Sequence, residues 1–472
     1  MAPGRAGGMG RAGGVGGRAG AALGVVLAAA ALGGPAGASA AAAAQAGAGP
    51  GAGAGFTAAL AKWLADSGEG AGIHAGLEPA AFPGMGAGYR VAEGSSGFAK
   101  GDILLRVPLG AVMSPKTAAE DAPALAQALL RRNASSSLQL TAHVLLEAAR
   151  GKTSRWAPYL ETLPRDYDLP LLWDPAEAEN LLEGTTLLQT VQTQRRTADR
   201  EFSVLTEAVA DIKAANPDYS LPDSFLEEGR FMWALATVLS RSFSVNVENT
   251  LVPILVPAAD VFNTGLEGSE LSLDDTGAAV QVVSGKDYSG GDQVFLQLGP
   301  QGNSELMARQ GFAFADNPHN TVNMFVSTPD SDPFTTTRMG IMRFLGMDPG
   351  NTHVLRRGRG LEKSLLQALR VSTLSPASFD QYRRLADGNP VSLENERDTL
   401  RQVMAACKVF LDKQPTSLED DEKLLRRREG LPRRQAWAVL YRWGEKATYR
   451  DIMNGVLESW QSYLLERVPG LD

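Results

Sequence analysis

Four histidines, one cysteine and a glycine-dense loop are the residues of this chain with the plainest chemical capacity. His74, His143, His319 and His353 are scattered, with no two at metal-ligand spacing, so no metal site is expected. There is no HExxH, no Walker A and no GxSxG sequence. The single cysteine, Cys407, excludes an internal disulfide framework and a multi-thiolate zinc cluster. The loop Gly84-Met85-Gly86-Ala87-Gly88 follows no strong strand pattern and lacks the third glycine of the dinucleotide fingerprint. By itself it reads as a flexible turn. The basic run Lys423–Arg428, continued by Arg433 and Arg434, lies just after the acids Glu419–Glu422. Acids first and bases last suit a helix macrodipole, so a solvated, self-paired helix is expected in preference to an anion-binding patch.

The elements that must position these residues follow from periodicity. Phe56, Leu60, Trp63 and Leu64 share one helical stripe. A turn-rich tract then runs from Ser67 to Gly97, and Asp102–Val107 reads as a short buried strand closed by Pro108. From about 116 to 250 the pattern is helical: Leu140, Val144, Leu145 and Ala148 recur at helix spacing before Gly151. Long helices are expected over 185–215 and 223–243. The period then switches to two. Leu251–Val256, Ala278–Val283 and Gln293–Leu298 read as strands, with Gly290-Gly291 as a hairpin-type turn. Helices return from about 336. Leu393, Leu400, Val403, Met404, Cys407 and Leu411 form one stripe, which makes Cys407 a core residue rather than a nucleophile. Thr416 to Glu419 reads as a capping box. The layout predicts an α+β fold: a β core interrupted by a helical insertion, then an all-helical C-terminal domain.

The chain has 472 residues and a formal net charge of −8, which conceals an uneven distribution. Residues 1–55 contain 21 Ala, 18 Gly and three Arg, and the first carboxylate is Asp66. Removing that +3 leaves about −11 on the body, so general attraction to nucleic acid is not expected. A disordered targeting leader is expected over 1–55, because an acid-free, basic segment suits an organellar transit peptide. Ala21–Leu32 followed by Ala38-Ser39-Ala40 keeps a secretory-type address as the alternative. No apolar run is long enough for a confident membrane span, so no stable insertion is expected once the leader is gone.

Several segments together resemble the SET-domain lysine methyltransferases of the plastid Rubisco large-subunit methyltransferase family. Gly151–Asp168 (GKTSRWAPYLETLPRDYD), Pro170–Trp173 and Leu182–Thr185 are similar to its helical insertion. Trp233, Ser240–Phe243, Val256–Asn263, Asn303–Leu306 and Gly311-Phe312 resemble successive SET motifs in order. Lys100–Pro108 resembles the early strand, Gly84-Met85-Gly86 the cofactor loop, and Pro415–Lys446 part of the substrate-binding helical domain. The resemblance implies a SET domain over 56–330, with its helical insertion at about 116–240, and a helical substrate-binding domain over 331–472. It implies S-adenosylmethionine as methyl donor and a plastid protein lysine as acceptor, in the chloroplast stroma rather than the lumen. By position, Gly84, Met85, Gly86, Arg241 and Asn263 would hold the donor, and Arg241 and Asp260 would border the substrate. The amine must be neutral to attack, and a dry aromatic channel would favour that form.

The departures from the family pattern fall on the chemistry. Thr264 replaces a histidine, Leu298 a tyrosine, and Asn323 a further channel tyrosine. Gln310 stands at the catalytic tyrosine position and offers a donor and an acceptor but no π face. Weakened lysine methylation, a different acceptor such as histidine, or a non-catalytic SET scaffold that binds a protein are therefore the expectations.

Overall fold

The computed structural model describes residues 25–26, 56–247, 249–326, 331–348, 350 and 352–467. Apart from the two-residue strand β1 (Val25–Val26), the expected leader lies outside the described residues. Of the described residues, 56–323, 354–360 and 407–467 make one compact unit. Those within 324–353 and 361–406, together with 25–26, make a second.

The first unit opens with α1 (Ala58–Ala65), capped where the Thr57 hydroxyl accepts from the Leu60 N–H at 3.1 Å. Four strands follow: β2 (Gly72–Ile73), β3 (Leu77–Phe82), β4 (Gly86–Val91) and β5 (Ile103–Pro108). The turn-rich reading of Ser67–Gly97 is thereby corrected, since three of these strands lie in that tract. Their sequences are poor in β-branched residues, and pairing with neighbours, not intrinsic propensity, makes them strands.

The expected helical insertion comprises α2 (Pro115–Asp121), α3 (Pro123–Arg131), α4 (Ser136–Arg150), α5 (Ala157–Leu160), α6 (Pro175–Leu182), α7 (Thr186–Ala215) and α8 (Glu228–Arg241). Gly151 ends α4 with φ at 56°, as the sequence implied. Leu140, Val144 and Leu145 share one buried cluster with Phe231, Leu235 and Val238, so α4 and α8 hold each other through their apolar stripes.

The chain then returns to strands: β6 (Phe243–Val247), β7 (Thr250–Ile254), β8 (Asn263–Gly265), β9 (Glu270–Leu273), β10 (Ala279–Val283) and β11 (Gln293–Gln297). Helix α9 (Asn303–Gln310) and strand β12 (Thr321–Val326) follow. One sheet has the order β2-β5-β10-β9 and a second β3-β4-β11-β8, while β6 and β7 pair as a hairpin. Gly290-Gly291 therefore does not join a hairpin, because β10 and β11 lie in different sheets. It belongs to a turn in which the Asp292 carboxylate accepts from the Ser289 N–H at 2.7 Å.

In the second unit, α10 (Thr335–Phe344), α11 (Lys363–Thr373) and α12 (Tyr382–Ala386) bury Ile341, Met342, Val371, Leu374 and Leu385. Within it Arg370 pairs bidentately with Glu396, at 2.6 and 2.7 Å. Strand β13 (Thr352–Arg356) precedes α11, and α13 (Leu393–Asp412) buries Val403 and Cys407 of the predicted stripe but leaves Leu393 exposed at its start. Cys407 is buried, and burial pushes its thiol up to about 12, which suits the core reading.

Two helices close the chain, α14 (Leu418–Leu425) and α15 (Arg433–Arg467). The capping box is present but starts one residue later than expected, at Ser417 with Asp420 as its partner. No helix among the described residues is long and apolar enough to cross a membrane.

Candidate active site

The second sheet brings the proposed donor residues together. Strands β3 and β4 form a hairpin whose tip is Pro83-Gly84-Met85, with Phe82 paired to Gly86. Gly84 and Gly86 have φ of 75° and 82°, where a side chain would be strained. The Met85 N–H closes the turn onto the Phe82 carbonyl at 3.0 Å, and its sulfur accepts from Gln293 Nε2 at 3.6 Å. So the loop that read as flexible is a fixed hairpin tip.

Strand β11 joins this hairpin to β8. It runs antiparallel to β4 and parallel to β8, where Phe295 pairs with Asn263 and Leu296 with Thr264. Asn263 is thus a strand residue. Its amide lies against the hairpin: a Cβ built on Gly88 would sit 2.4 Å from Asn263 Nδ2. Gly88 is therefore needed for close approach of a side chain, not for an unusual φ.

Arg241 and Asp260 are the second pair that the fold brings together. Arg241 is the last residue of α8, yet its guanidinium turns away from its own helix carbonyls. Its Nη1 donates to the Asp260 backbone carbonyl at 2.9 Å and approaches the Asp260 carboxylate at 3.4 Å. Asp260 also accepts from the Tyr159 hydroxyl at 3.1 Å. Burial pushes the Asp260 carboxyl above its ordinary range, while Arg241 and the Tyr159 bond oppose that shift. Burial also works against the Arg241 charge, but Tyr167 and Asp260 around it prevail and raise its pKa. Tyr159, Tyr167 and Tyr89 are all shifted upward, first by burial, and the Asp260 charge adds to that in each. The backbone here is pinned as well. The Tyr89 hydroxyl donates to the carbonyl of Ala258, a non-glycine residue at φ 70°, at 3.3 Å.

Gln310 is the last residue of α9, and α9 packs against α8 and α15. Gly311 follows in the left-handed region, where a Cβ would meet the Asp168 carbonyl oxygen at 2.6 Å. The motif residue Asn303 fixes this turn from below: its side chain donates to the Phe314 carbonyl at 2.8 Å and accepts from the Phe314 N–H at 3.0 Å. Leu298 follows the end of β11, and Asn323 lies in β12.

Three buried polar atoms of these residues have no hydrogen-bond partner among the described residues: Asp260 Oδ1, Asn263 Nδ2 and Gln310 Oε1, while Arg241 and Tyr167 engage each other. A folded chain rarely leaves such groups unsatisfied without a reason, so these donors and acceptors fit a polar ligand. A donor with carboxylate, amine and ribose groups could engage them, beside a hairpin tip at Gly84–Gly86 that keeps side chains out of the way. Tyr159, Tyr167 and Tyr89 were not singled out from the sequence. Tyr159 and Tyr167 lie inside the Gly151–Asp168 motif, and only tertiary folding shows that they face Arg241 and Asp260.

A separate group, Asp121, His143 and Glu147, has spacing compatible with a cation. Most of its donor atoms are already engaged, His143 Nδ1 being the exception without a hydrogen-bond partner among the described residues. Asp121 accepts from Trp156 Nε1 at 2.9 Å, contacts His143 Nε2 at 3.0 Å and pairs with Arg155, while Glu147 binds Arg150 and Ser154. It reads as an anchor for the insertion.

Comparison with known proteins bears on the fold. The model of the Rubisco LSMT substrate-binding family matches residues 329–448. Actin-histidine N-methyltransferase of Rattus norvegicus is 25% identical over 431 residues, covering 87% of this chain and 70% of the relative. The Homo sapiens protein of the same name is 25% identical over 405 residues, covering 82% and 66%. Among solved structures, the SET domain of LSMT bound to lysine and AdoHcy superposes with a TM-score of 0.69 at 22% identity, over 88% of this chain and 96% of that one. Rubisco LSMT bound to AdoMet gives a TM-score of 0.68 at 21% identity, over 88% and 98%. The chain thus has a SET-type fold, and its residues 329–448 match the Rubisco LSMT substrate-binding family model.

Proposed function

We propose that this protein transfers a methyl group from S-adenosylmethionine to a side-chain nitrogen of another protein, and that the acceptor is a histidine imidazole. The observation that carries the choice of acceptor is the buried, unpartnered Gln310 Oε1, at the position where the resembling family has its tyrosine. A carbonyl oxygen there accepts an imidazole N–H and leaves the other ring nitrogen with its lone pair free. When bound, S-adenosylmethionine supplies a sulfonium-activated methyl group. Asn263 donates its free amide hydrogens to that ligand, and the Gly84–Gly86 tip lets the main chain come close. Arg241, held by Asp260, which in turn accepts from Tyr159, is the positioning residue between the donor and acceptor sides. Alignment of the reacting atoms by such fixed groups supplies much of the acceleration.

Magnitudes support imidazole over lysine. An unperturbed lysine at pH 8 is neutral in only about one molecule in 250, whereas histidine is almost wholly neutral. Leu298 and Gln310 remove two of the aromatic hydroxyl groups that would favour a neutral amine. The relatives named actin-histidine N-methyltransferases, 25% identical over most of this chain, support the same acceptor chemistry. Residues 56–330 are assigned the transfer and 331–472 the grip on the acceptor protein. The acid-free leader supports delivery to the chloroplast stroma, which imaging of residues 1–55 fused to a fluorescent protein tests directly.

The deciding experiment incubates the purified chain with methyl-labelled donor and a plastid extract, then hydrolyses the labelled protein to amino acids. Label in methylhistidine is expected. Label in methyllysine alone would refute the imidazole assignment, and no transfer at saturating donor would leave only the non-catalytic scaffold.

A further inference from the structure

The arginines after α14 do not do what their sequence suggested. The expected self-pairing holds for Asp420 with Lys423 inside α14, but the other three acids turn to α15 and leave Arg426–Arg428 without them. Glu419 pairs with Arg450, Asp420 with Lys423, and Asp421 with the buried Arg442 and Lys446. Glu422 accepts from Trp443 Nε1 at 3.4 Å. Helix α14 stops at Leu425, so Arg426, Arg427 and Arg428 lie on the turn beyond it. None of the three makes an ion pair among the described residues. Arg426 and Arg427 are exposed, and the Arg428 guanidinium lies 4.3 Å from the centre of the Trp437 ring. Arg433, at the start of α15, reaches Asp168 only at 3.8 Å, because Arg434 holds that carboxylate at 2.6 Å. Burial lowers the Arg428 pKa with no acid opposing it, as for a cation lacking its counter-ion.

Two chains of contacts link this cluster to the Gly311-Phe312 turn that follows Gln310. Trp437 meets Phe312, two residues beyond Gln310, with ring centroids 6.3 Å apart. Asp168, gripped by Arg434, is the residue whose carbonyl abuts Gly311. In a chain of net charge −8, residues 426–434 hold five arginines and one acid, Glu429.

We propose that Arg426, Arg427, Arg428 and Arg433 form a cationic rim beside Gln310 that docks an acidic segment of the acceptor protein. The inference rests on the methyltransferase reading for its word acceptor, but not for the existence of the rim. Guanidinium groups recognise carboxylates by paired N–H donors, and the rim would set which residue of the partner enters the site.

The test uses the full chain and a fluorescein-labelled peptide with a central histidine flanked by aspartates, beside the same peptide with asparagines. Fluorescence anisotropy should show the aspartate peptide bound about tenfold more tightly at low salt, a gap that narrows as salt rises. The triple variant Arg426→Gln/Arg427→Gln/Arg428→Gln should erase the gap. The single exposed change Arg427→Glu, read beside it, should reverse part of the preference should the triple variant not fold. Equal binding of the two peptides by the unaltered chain would overturn the proposal, as would a folded variant that keeps the preference. Donor titration of the same samples is a separate readout: a chain that binds no S-adenosylmethionine defeats the methyltransferase reading, while the peptide result alone judges the rim.

Discussion

Replacing Gly88 by alanine isolates the contact on which the donor side depends. The new methyl would sit 2.4 Å from Asn263 Nδ2 and 3.0 Å from Phe82 Cε2, whereas ordinary contact begins at 3.4 Å. Gly88 lies in regular strand β4 and has no positive φ, so the backbone tolerates alanine and the strain falls on side chains. The Asn263 amide is the end of a mobile side chain, so it yields by about 1 Å while the sheet stays in place. Displacement of a positioning group by that distance costs on the order of 10²-fold. Overpacking should lower stability by no more than about 1–3 kcal/mol. Calorimetric titration with S-adenosylmethionine is expected to show affinity weakened by roughly 10- to 100-fold, with cooperative thermal unfolding retained. Asn263→Ala should weaken binding comparably, and the double variant should be little worse than either single one, because both remove the same contact. Undiminished donor binding in Gly88→Ala would refute the reasoning, as would fully additive losses in the double variant.

Three other outcomes follow from the same structure. Glu445 on α15 is buried, accepts from the Thr186 N–H at 3.2 Å and from the Tyr441 hydroxyl at 3.0 Å, and is raised from 4.5 to about 7 chiefly by burial. Its folded state holds the proton more tightly, so stability is fullest below about pH 4.5 and declines as pH rises through about 7, by roughly 3 kcal/mol. Denaturant unfolding of Glu445→Gln should lack that decline, and parallel curves for the two proteins would contradict it. Cys407, buried with its thiol pushed up to about 12, should resist a thiol reagent at pH 8 until the protein unfolds. Gln310→Tyr combined with Thr264→His should shift label from methylhistidine toward methyllysine in the transfer assay, and an unchanged product would count against the role given to Gln310.

Much of the architecture was legible because strong periodicity survives tertiary context. The stripes of α4 and α8, the 185–215 helix and the strands after 250 appear where apolar spacing placed them, whereas the α13 stripe loses Leu393 to solvent. The strands β2 to β4 were not legible, since glycine-rich segments become strands only through their partners. The same limit hid Tyr159, Tyr167 and Tyr89, whose meeting with Asp260 depends on the packing of elements far apart in sequence. The arginine run after α14 failed for a different reason. Local charge order suggested neighbours as partners, which holds for Asp420 and Lys423, but α15 supplies Arg442, Lys446 and Arg450 to Asp421 and Glu419. Arg241, Asp260, Asn263 and Gln310 could be named from motif resemblance alone, and the fold adds that the last three each carry a buried polar atom still awaiting a partner.

Titration of the purified chain with S-adenosylmethionine, with Asn263→Ala as its control, tests the central claim most directly. Saturable binding to a single site that weakens sharply in the variant is expected. No binding at high donor concentration by a folded chain would contradict every enzymatic reading of this protein.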